Sequence, residues 1–534
     1  MAPAIPLRAR LADDADWSAE PVDVSRIGRP GRKFSWLSPR TLWHSRNNVL
    51  ASLSGDPTEN ARRAWVAAQR EKLAGEGRAL SEDFMIERDD LGDFAFMLIG
   101  DTGEGDLSQY AVAPTFNAVG ADSEFAIIAS DVIYPAGDVN DYVEKFFVPF
   151  AGYRHPVYAI PGNHDWLDGL VGFMRHFCGA KPPEEKFRPP RRQRWARLAL
   201  LVHHLFWRRP RELAGRTLAE GAALRGEAQA SGPAQPNMYF AIDTPQLRIV
   251  CIDTGILGRL DHDQGQWLAR VSAGDKPKLL VSGKPVFAGP DASPRRILPA
   301  DGSDAGYSDL LWNVIRDPAN NYVAMLAGDV HHYERHMVHL PDGRELPCVI
   351  SGGGGAFMTS THQIGKVDRP EFTESDWVVF PTRGDSLRAY SMVIQRRLAR
   401  VIPLLRRDRL RGIPADQAAL IAAERHRLDP DAELARGERA PQAPPAARIK
   451  VSMRSRMLTW LVWPRRAWYP VHRISEALDW DDPPFFKNFV RAEVAGGQLR
   501  MVAYAVSGLQ RDAEDPAVID ELRIPLAAGV GARR

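Results

Sequence analysis

Seven short apolar runs limit what this chain can fold into more than any other feature. They are FAFMLIGD from Phe94, FAIIASD from Phe125, PVYAIPGNHD from Pro156, LRIVCIDTG from Leu247, KPKLLVSGKP from Lys276, YVAMLAGD from Tyr322 and LPCVISGGGG from Leu346. Each is rich in β-branched or large aliphatic residues and stops at Gly or Asp. Strands covered on both faces read this way, without polar alternation. In open α/β sheets the ligand crevice lies beyond the carboxyl ends of the strands. The polar endings are therefore expected to converge on one site of an α/β protein.

The rest of the chain decorates that pattern. At 534 residues it exceeds what one hydrophobic core serves. Residues 1–90 form a mainly helical extension, with NARRAWVAAQREKLAGEG predicting a helix that ends near Gly75 or Gly77. Residues 91–365 carry the strand series, interrupted at 185–230 by the basic stretch RPPRRQRWARLALLVHHLFWRRPRELAGR. A second insertion over 366–478 holds IQRRLARVIPLLRRDRLRG, the Pro/Ala-rich RAPQAPPAAR and MRSRMLTWLVWPRRAWYPVHR. In 479–534, FFKNFVRAEV and QLRMVAYAV around Ala-Gly-Gly predict a hairpin that rejoins the main fold.

Several classes are excluded or restricted. Cys178, Cys251 and Cys348 are too few and too far apart for a disulfide framework or a Cys-x-x-Cys zinc site. A formal charge of +2 gives no nucleic-acid signal. No signal peptide is visible at the N-terminus, and no run reaches the ~20 apolar residues that span a bilayer. The expectation is a cytoplasmic protein. LALLVHHLFW and MLTWLVWPRRAWYP combine Leu, Trp and Arg without acids, which suits peripheral contact with an anionic membrane. Packing of the two insertions against each other as a cap over the site explains the same residues and is the favoured reading, with membrane contact as an addition to it.

Four of the strand endings carry chemistry: Asp101, Asp131, the triplet Asn163-His164-Asp165, and Asp329 with His331. Carboxylates, an amide oxygen and an imidazole suit one or two divalent or trivalent cations such as Fe, Mn or Zn. Two cations about 3.5–4 Å apart clamp the attacking and leaving oxygens of an in-line phosphoryl displacement.

The ordered series GD, D-x-x-Y, GNHD and GDxHxYER resembles the calcineurin-like metallophosphoesterases, particularly the purple acid phosphatase branch. The resemblance spans about residues 92–365 and the terminal hairpin at 485–510. It implies an α/β sandwich of central sheets flanked by helices, with helical insertions and a dinuclear metal centre. Carried over by position, Asp101 binds the first metal, Asp131 bridges both, and His331 completes the first site. Gly103 stands where most members have a histidine, and Tyr134 sits at the spacing of the tyrosine that replaces it in the purple acid branch. A phenolate there favours Fe(III), with Mn as the other expectation. Asn163 binds the second metal, and His164 stabilises the transition state or protonates the leaving oxygen, oriented by Asp165.

Two further departures concern that second metal. Family histidines are absent at Gly283 and Asp329, which leaves the all-oxygen set Asp131, Asn163 and Asp329. Such a set favours Mn, Mg or Ca, weakly held or absent; alternatively Lys284 takes part of the cation's place as a point charge on the phosphate. His332, His336 and His362 are read as hydrogen-bonded structural groups or groups on the substrate rim rather than ligands, with His362 a second way to supply a lost ligand. Glu334 and Arg335 are read as an ion pair beneath the site, and Gly352 to Gly355 as a tight passage beside it. The function implied is hydrolysis of a phosphate mono- or diester by a metal-bound hydroxide. The alternative is a non-catalytic or weakly active protein of this fold that serves as a binding or membrane-associated module.

Overall fold

A computed structural model of the chain describes residues 35–36, 38–77, 83–183, 196–225, 235–299, 310–401, 412–436, 445–464, 485–507 and 516–526. The arginine-rich run before Ala196, residues 402–411 of the second insertion, the first part of the Pro/Ala-rich linker and the Arg/Trp/Tyr run from 465 to 484 lie outside the described residues.

All seven apolar runs are strands, and they divide between two sheets. In the six-stranded sheet, β2 (Phe94–Gly100), β3 (Phe125–Ala129) and β4 (Val157–Ile160) run parallel, with Leu98 opposite Ile127 and Ile127 opposite Tyr158. The eight-stranded sheet has a parallel centre. There β6 (Arg248–Ile252) pairs with β7 (Lys278–Ser282), β7 with β8 (Tyr322–Ala327), and β8 with β10 (Glu345–Ser351). Residues of both sheets share one contiguous hydrophobic core.

The remaining strands extend these centres. β1 (Met85–Glu87) and β5 (Phe240–Asp243) form one edge of the large sheet, while β9 (Tyr333–His339) and β11 (Trp377–Phe380) form the other. On the small sheet, β12 (Lys487–Ala495) lies antiparallel against β2, followed by β13 (Gln498–Val506) and β14 (Ala517–Pro525). The C-terminal hairpin thus rejoins the main fold beside its first long strand. β1 falls within the stretch read as an extension and β11 within the stretch read as the second insertion. Both belong to the large sheet, so 90 and 366 are not the structural boundaries.

The N-terminal helices dock on the strand ends rather than standing apart. The helix Thr58–Gly75 sends Arg62, 2% exposed, to Asp253 (2.6 Å) and Asp261 (3.1 Å). Asp253 follows β6 and also accepts from Trp166 Nε1 at 3.0 Å. This ties the helix to the turn after β4. Removing one partner of such a buried pair costs about 3–5 kcal/mol, because the other charge is left without compensation.

The helix Ala196–Phe206 of the first insertion packs against the helix Arg46–Ser54, and Met453–Val462 of the second packs against Arg383–Val401. The first insertion thus packs on the N-terminal extension, while the second packs on itself. Among the described residues no helix is long and apolar enough to cross a membrane. The three cysteines are buried and unpaired.

Candidate metal centre

The endings of β2, β3, β4 and β8 meet at one place, as their order predicts. The phenol oxygen of Tyr134 lies 3.0 Å from Asp101 Oδ1, 3.0 Å from Asp131 Oδ2 and 3.0 Å from His331 Nε2. His331 Nδ1 lies 3.0 Å from the carbonyl of Phe357. A carbonyl only accepts, so Nδ1 carries the proton and Nε2 offers its lone pair. Two carboxyl groups and an imidazole lone pair therefore surround one phenol oxygen. Second-sphere carbonyls commonly fix metal-ligating histidines in this tautomer.

The backbone is shaped for the purpose. Asp101 and Asp329 adopt left-handed conformations (φ 56° and 67°), uncommon away from glycine and concentrated at functional sites. The Asp329 amide donates to Asp101 Oδ2 at 2.7 Å, and the His164 amide to Asp131 Oδ1 at 2.7 Å. A Cβ on Gly103 would come within 2.2 Å of the Val132 carbonyl oxygen. No side chain fits there, so the first-motif histidine is excluded by backbone and Tyr134 fills its role in the packing. Gly352 and Gly354 pass equally close to Asp101 Oδ2 and the Gly100 carbonyl, the tight passage expected of that run.

The electrostatics differ across the site. Burial, then the neighbouring carboxylates Asp131 and Asp329, hold Asp101 well above the usual carboxylate range. Burial also raises Asp131 and Tyr134, and pushes His331 down to about 3. Asp329 goes the other way: burial opposes its charge, but the Lys284 ammonium overrides it and holds the carboxyl below its ordinary range. The ammonium contacts Asp329 Oδ1 and donates to Asn163 Oδ1 at 3.0 Å.

The group of Asp101, Asp131, Tyr134 and His331 therefore fits a cation, while the second position does not. Its assigned ligands, Asn163 and Asp329, are already satisfied by Lys284. A Cβ at Gly283 would meet Thr254 Oγ1 at 2.9 Å and the Pro161 carbonyl at 3.2 Å, so the missing histidine has little room either.

Other expectations are corrected by the geometry. Asp165 does not orient His164. It accepts from the Val132 amide (2.9 Å), the Gly162 amide (3.1 Å) and Tyr142 Oη (3.0 Å), and burial pushes it up to about 7. The His164 ring is instead held through Nδ1 by the Pro135 carbonyl at 2.9 Å. His332 faces away from the rim, giving Nε2 to Glu334 Oε2 at 2.9 Å. Glu334 also pairs with His336, and Arg335 pairs with Asp520, so Glu334 and Arg335 have separate partners. His362 lies against Ser386, Tyr390 and Trp463.

Trp36 was not legible as a site residue. Its indole meets the rings of His164, Tyr134 and Phe357 edge-on at 5.3, 5.8 and 5.8 Å, and donates to Glu104 at 2.9 Å. It lines the site beside His164 from a segment without any apolar period.

Among solved structures, the chain is similar to GAP50, the anchor in the inner membrane complex of Plasmodium (12% identity, TM-score 0.32, 53% of this chain and 76% of that one). It is also similar to purple acid phosphatase PPD1 from yellow lupin seeds (10% identity, TM-score 0.37). That match covers 81% of this chain but 54% of the lupin protein, so the chain spans about half its length. The protein TT1561 of Thermus thermophilus is a third (10% identity, TM-score 0.25, 49% of this chain and 90% of that one). No protein of curated function matches the sequence. The family model for calcineurin-like phosphoesterases matches residues 94–216, which hold Asp101, Asp131, Asn163 and His164. That segment thus carries a calcineurin-like phosphoesterase domain, the superfamily that the ordered motif series resembles.

Proposed function

We propose that the chain is a metal-dependent phosphoesterase acting on a phosphate mono- or diester. The observation that carries this reading is the convergence of Asp101, Asp131 and His331 on one phenol oxygen. The family match over residues 94–216 supports divalent metal use in general. Fe(III) or Mn suits a set that includes a phenol oxygen, an imidazole and two carboxylates. A cation held there supplies Lewis acidity and acidifies water in contact with it.

The chain's own residues then do the following. Asp101 and Asp131 fix the position of positive charge at the ends of β2 and β3. Phe357 holds the lone pair of His331 toward that charge. Pro135 fixes the proton of His164 on Nδ1, so Nε2 is the nitrogen that gives a second proton to the leaving oxygen. Trp36 screens the same side of the site from water.

Turnover of an aryl phosphate or a bis-aryl diester with Mn, Fe or Mg added tests the reading. The expected result is metal-dependent hydrolysis that Asp131→Asn abolishes. No turnover with any of these metals would leave the non-catalytic alternative.

One observation favours a second role, peripheral contact with an anionic membrane. Leu42, Trp43 and Leu53 in the paired N-terminal helices, and Leu201, Leu205 and Phe206 in Ala196–Phe206, are exposed. Arg46 binds the Phe206 carbonyl at 2.6 Å and stacks on Trp43, joining the two groups into one surface with basic neighbours. Apolar and cationic side chains in this mixture suit the headgroup region. Co-sedimentation with phosphatidylserine vesicles, lost in Leu53→Asp/Leu205→Asp and absent with neutral vesicles, is the expected outcome.

A further inference from the structure

The second cation position has a positive charge of its own. Lys284 Nζ donates to Asn163 Oδ1 at 3.0 Å and contacts Asp329 Oδ1, the two oxygens that family resemblance gives to a second metal. Its side chain is 16% exposed, and its backbone amide is anchored on Thr254 Oγ1 at 3.1 Å. The lysine is therefore enclosed and positioned rather than passing through.

The two departures from the family pattern have a common explanation in this lysine. Asp329, in place of a histidine, offers a carboxylate that an ammonium pairs with, where an imidazole lone pair would prefer a metal. Gly283, in place of the other histidine, sits against Thr254 and Pro161 and leaves the neighbouring Lys284 as the residue that reaches the site. An ammonium is a compact point charge with three donors. Two are used on Asn163 and Asp329, which leaves the third N–H for an incoming anionic oxygen.

We propose that Lys284 is a built-in replacement for the second metal, so that the centre binds one metal ion per chain and meets the phosphoryl group with that ion on one side and an ammonium on the other. This rests on the phosphoesterase reading above.

Titration of the metal-free full-length chain with Mn2+, followed by calorimetry and by electron paramagnetic resonance of the free ion, tests it. One Mn2+ per chain at saturation is expected; two would overturn the proposal while leaving the phosphoesterase reading intact. No bound Mn2+ would overturn that reading, and this inference with it. Inorganic phosphate is then titrated into the Mn2+-loaded protein and into Lys284→Met. The variant is expected to keep its single Mn2+ and to lose phosphate affinity by at least about 10-fold. Lys284→Gln, which keeps hydrogen bonds to Asn163 and Asp329 without the charge, gives the same readout if Lys284→Met does not fold. Unchanged phosphate affinity in a variant that retains its Mn2+ would overturn the proposal.

Discussion

The two halves of the site solve the same electrostatic problem differently. Around Tyr134, two buried carboxyl groups and an imidazole lone pair face one phenol oxygen. A few residues away, Asn163 and Asp329 are matched by a lysine from the chain itself. Burial raises the carboxyl groups of the first half, while Asp329 in the second is held low. A cluster of acceptors points to an external cation only when the protein has not already supplied an internal one.

The largest expected contrast comes from one substitution in each half. Asp131→Asn should abolish Mn2+ binding and reduce aryl phosphate turnover to background. Asp329→Asn should keep the Mn2+ and lose about 10–100-fold in kcat/KM, as a disturbed outer partner does. Equal loss of metal in both variants would erase the distinction. His164→Ala should leave metal stoichiometry unchanged and lower kcat by about 10²–10⁴-fold, with esters of poor leaving groups suffering most.

Acid should act on the two halves with opposite sign. Asp101 holds its proton more tightly folded than unfolded, so its favourable contribution is present at low pH and lost as pH rises above the ordinary value of 3.8. Asp329 contributes above its unfolded value and loses that contribution as pH falls. Metal-free Asp101→Asn should therefore melt above the wild type at pH 7.5, with the gap narrowing toward pH 5. Metal-free Asp329→Asn should show its largest deficit near neutrality. A gap for Asp101→Asn that is independent of pH would contradict the assignment. Smallest of all, Trp36→Ala should raise KM by ~2–10-fold through loss of ring contacts worth about 0.5–1.5 kcal/mol, with metal binding unaltered.

Much of this architecture is legible in the sequence because parallel central strands are apolar on both faces. The seven runs and the loops after them identify the site's elements in order. β9 escapes that reading. Its Tyr333, Glu334 and His336 are buried, but as polar groups paired with Asp520, His332 and one another, so no apolar run announces a strand. The expectations for Asp165, His332 and His362 fail for a related reason. Chemistry-capable side chains near a motif are often committed to backbone amides or buried partners, and sequence spacing does not show to which. Lys284 could be singled out because two histidines are absent nearby, while Trp36 offered no comparable signal.

The antiparallel pairing of β12 with β2 carries a consequence for how the protein is made. Asp101 stands at the end of a strand whose outer neighbour, residues 487–495, is among the last parts of the described chain to leave a ribosome. The chain between Gly100 and Lys487 must emerge before β2 is covered on that edge. Such distant pairing slows folding and leaves an open sheet edge exposed in the meantime. The nascent chain thus has a long interval in which β2 can pair wrongly. Formation of a folded centre around Asp101 should follow completion of the C-terminal hairpin rather than synthesis of Asp101, Asp131 and His331.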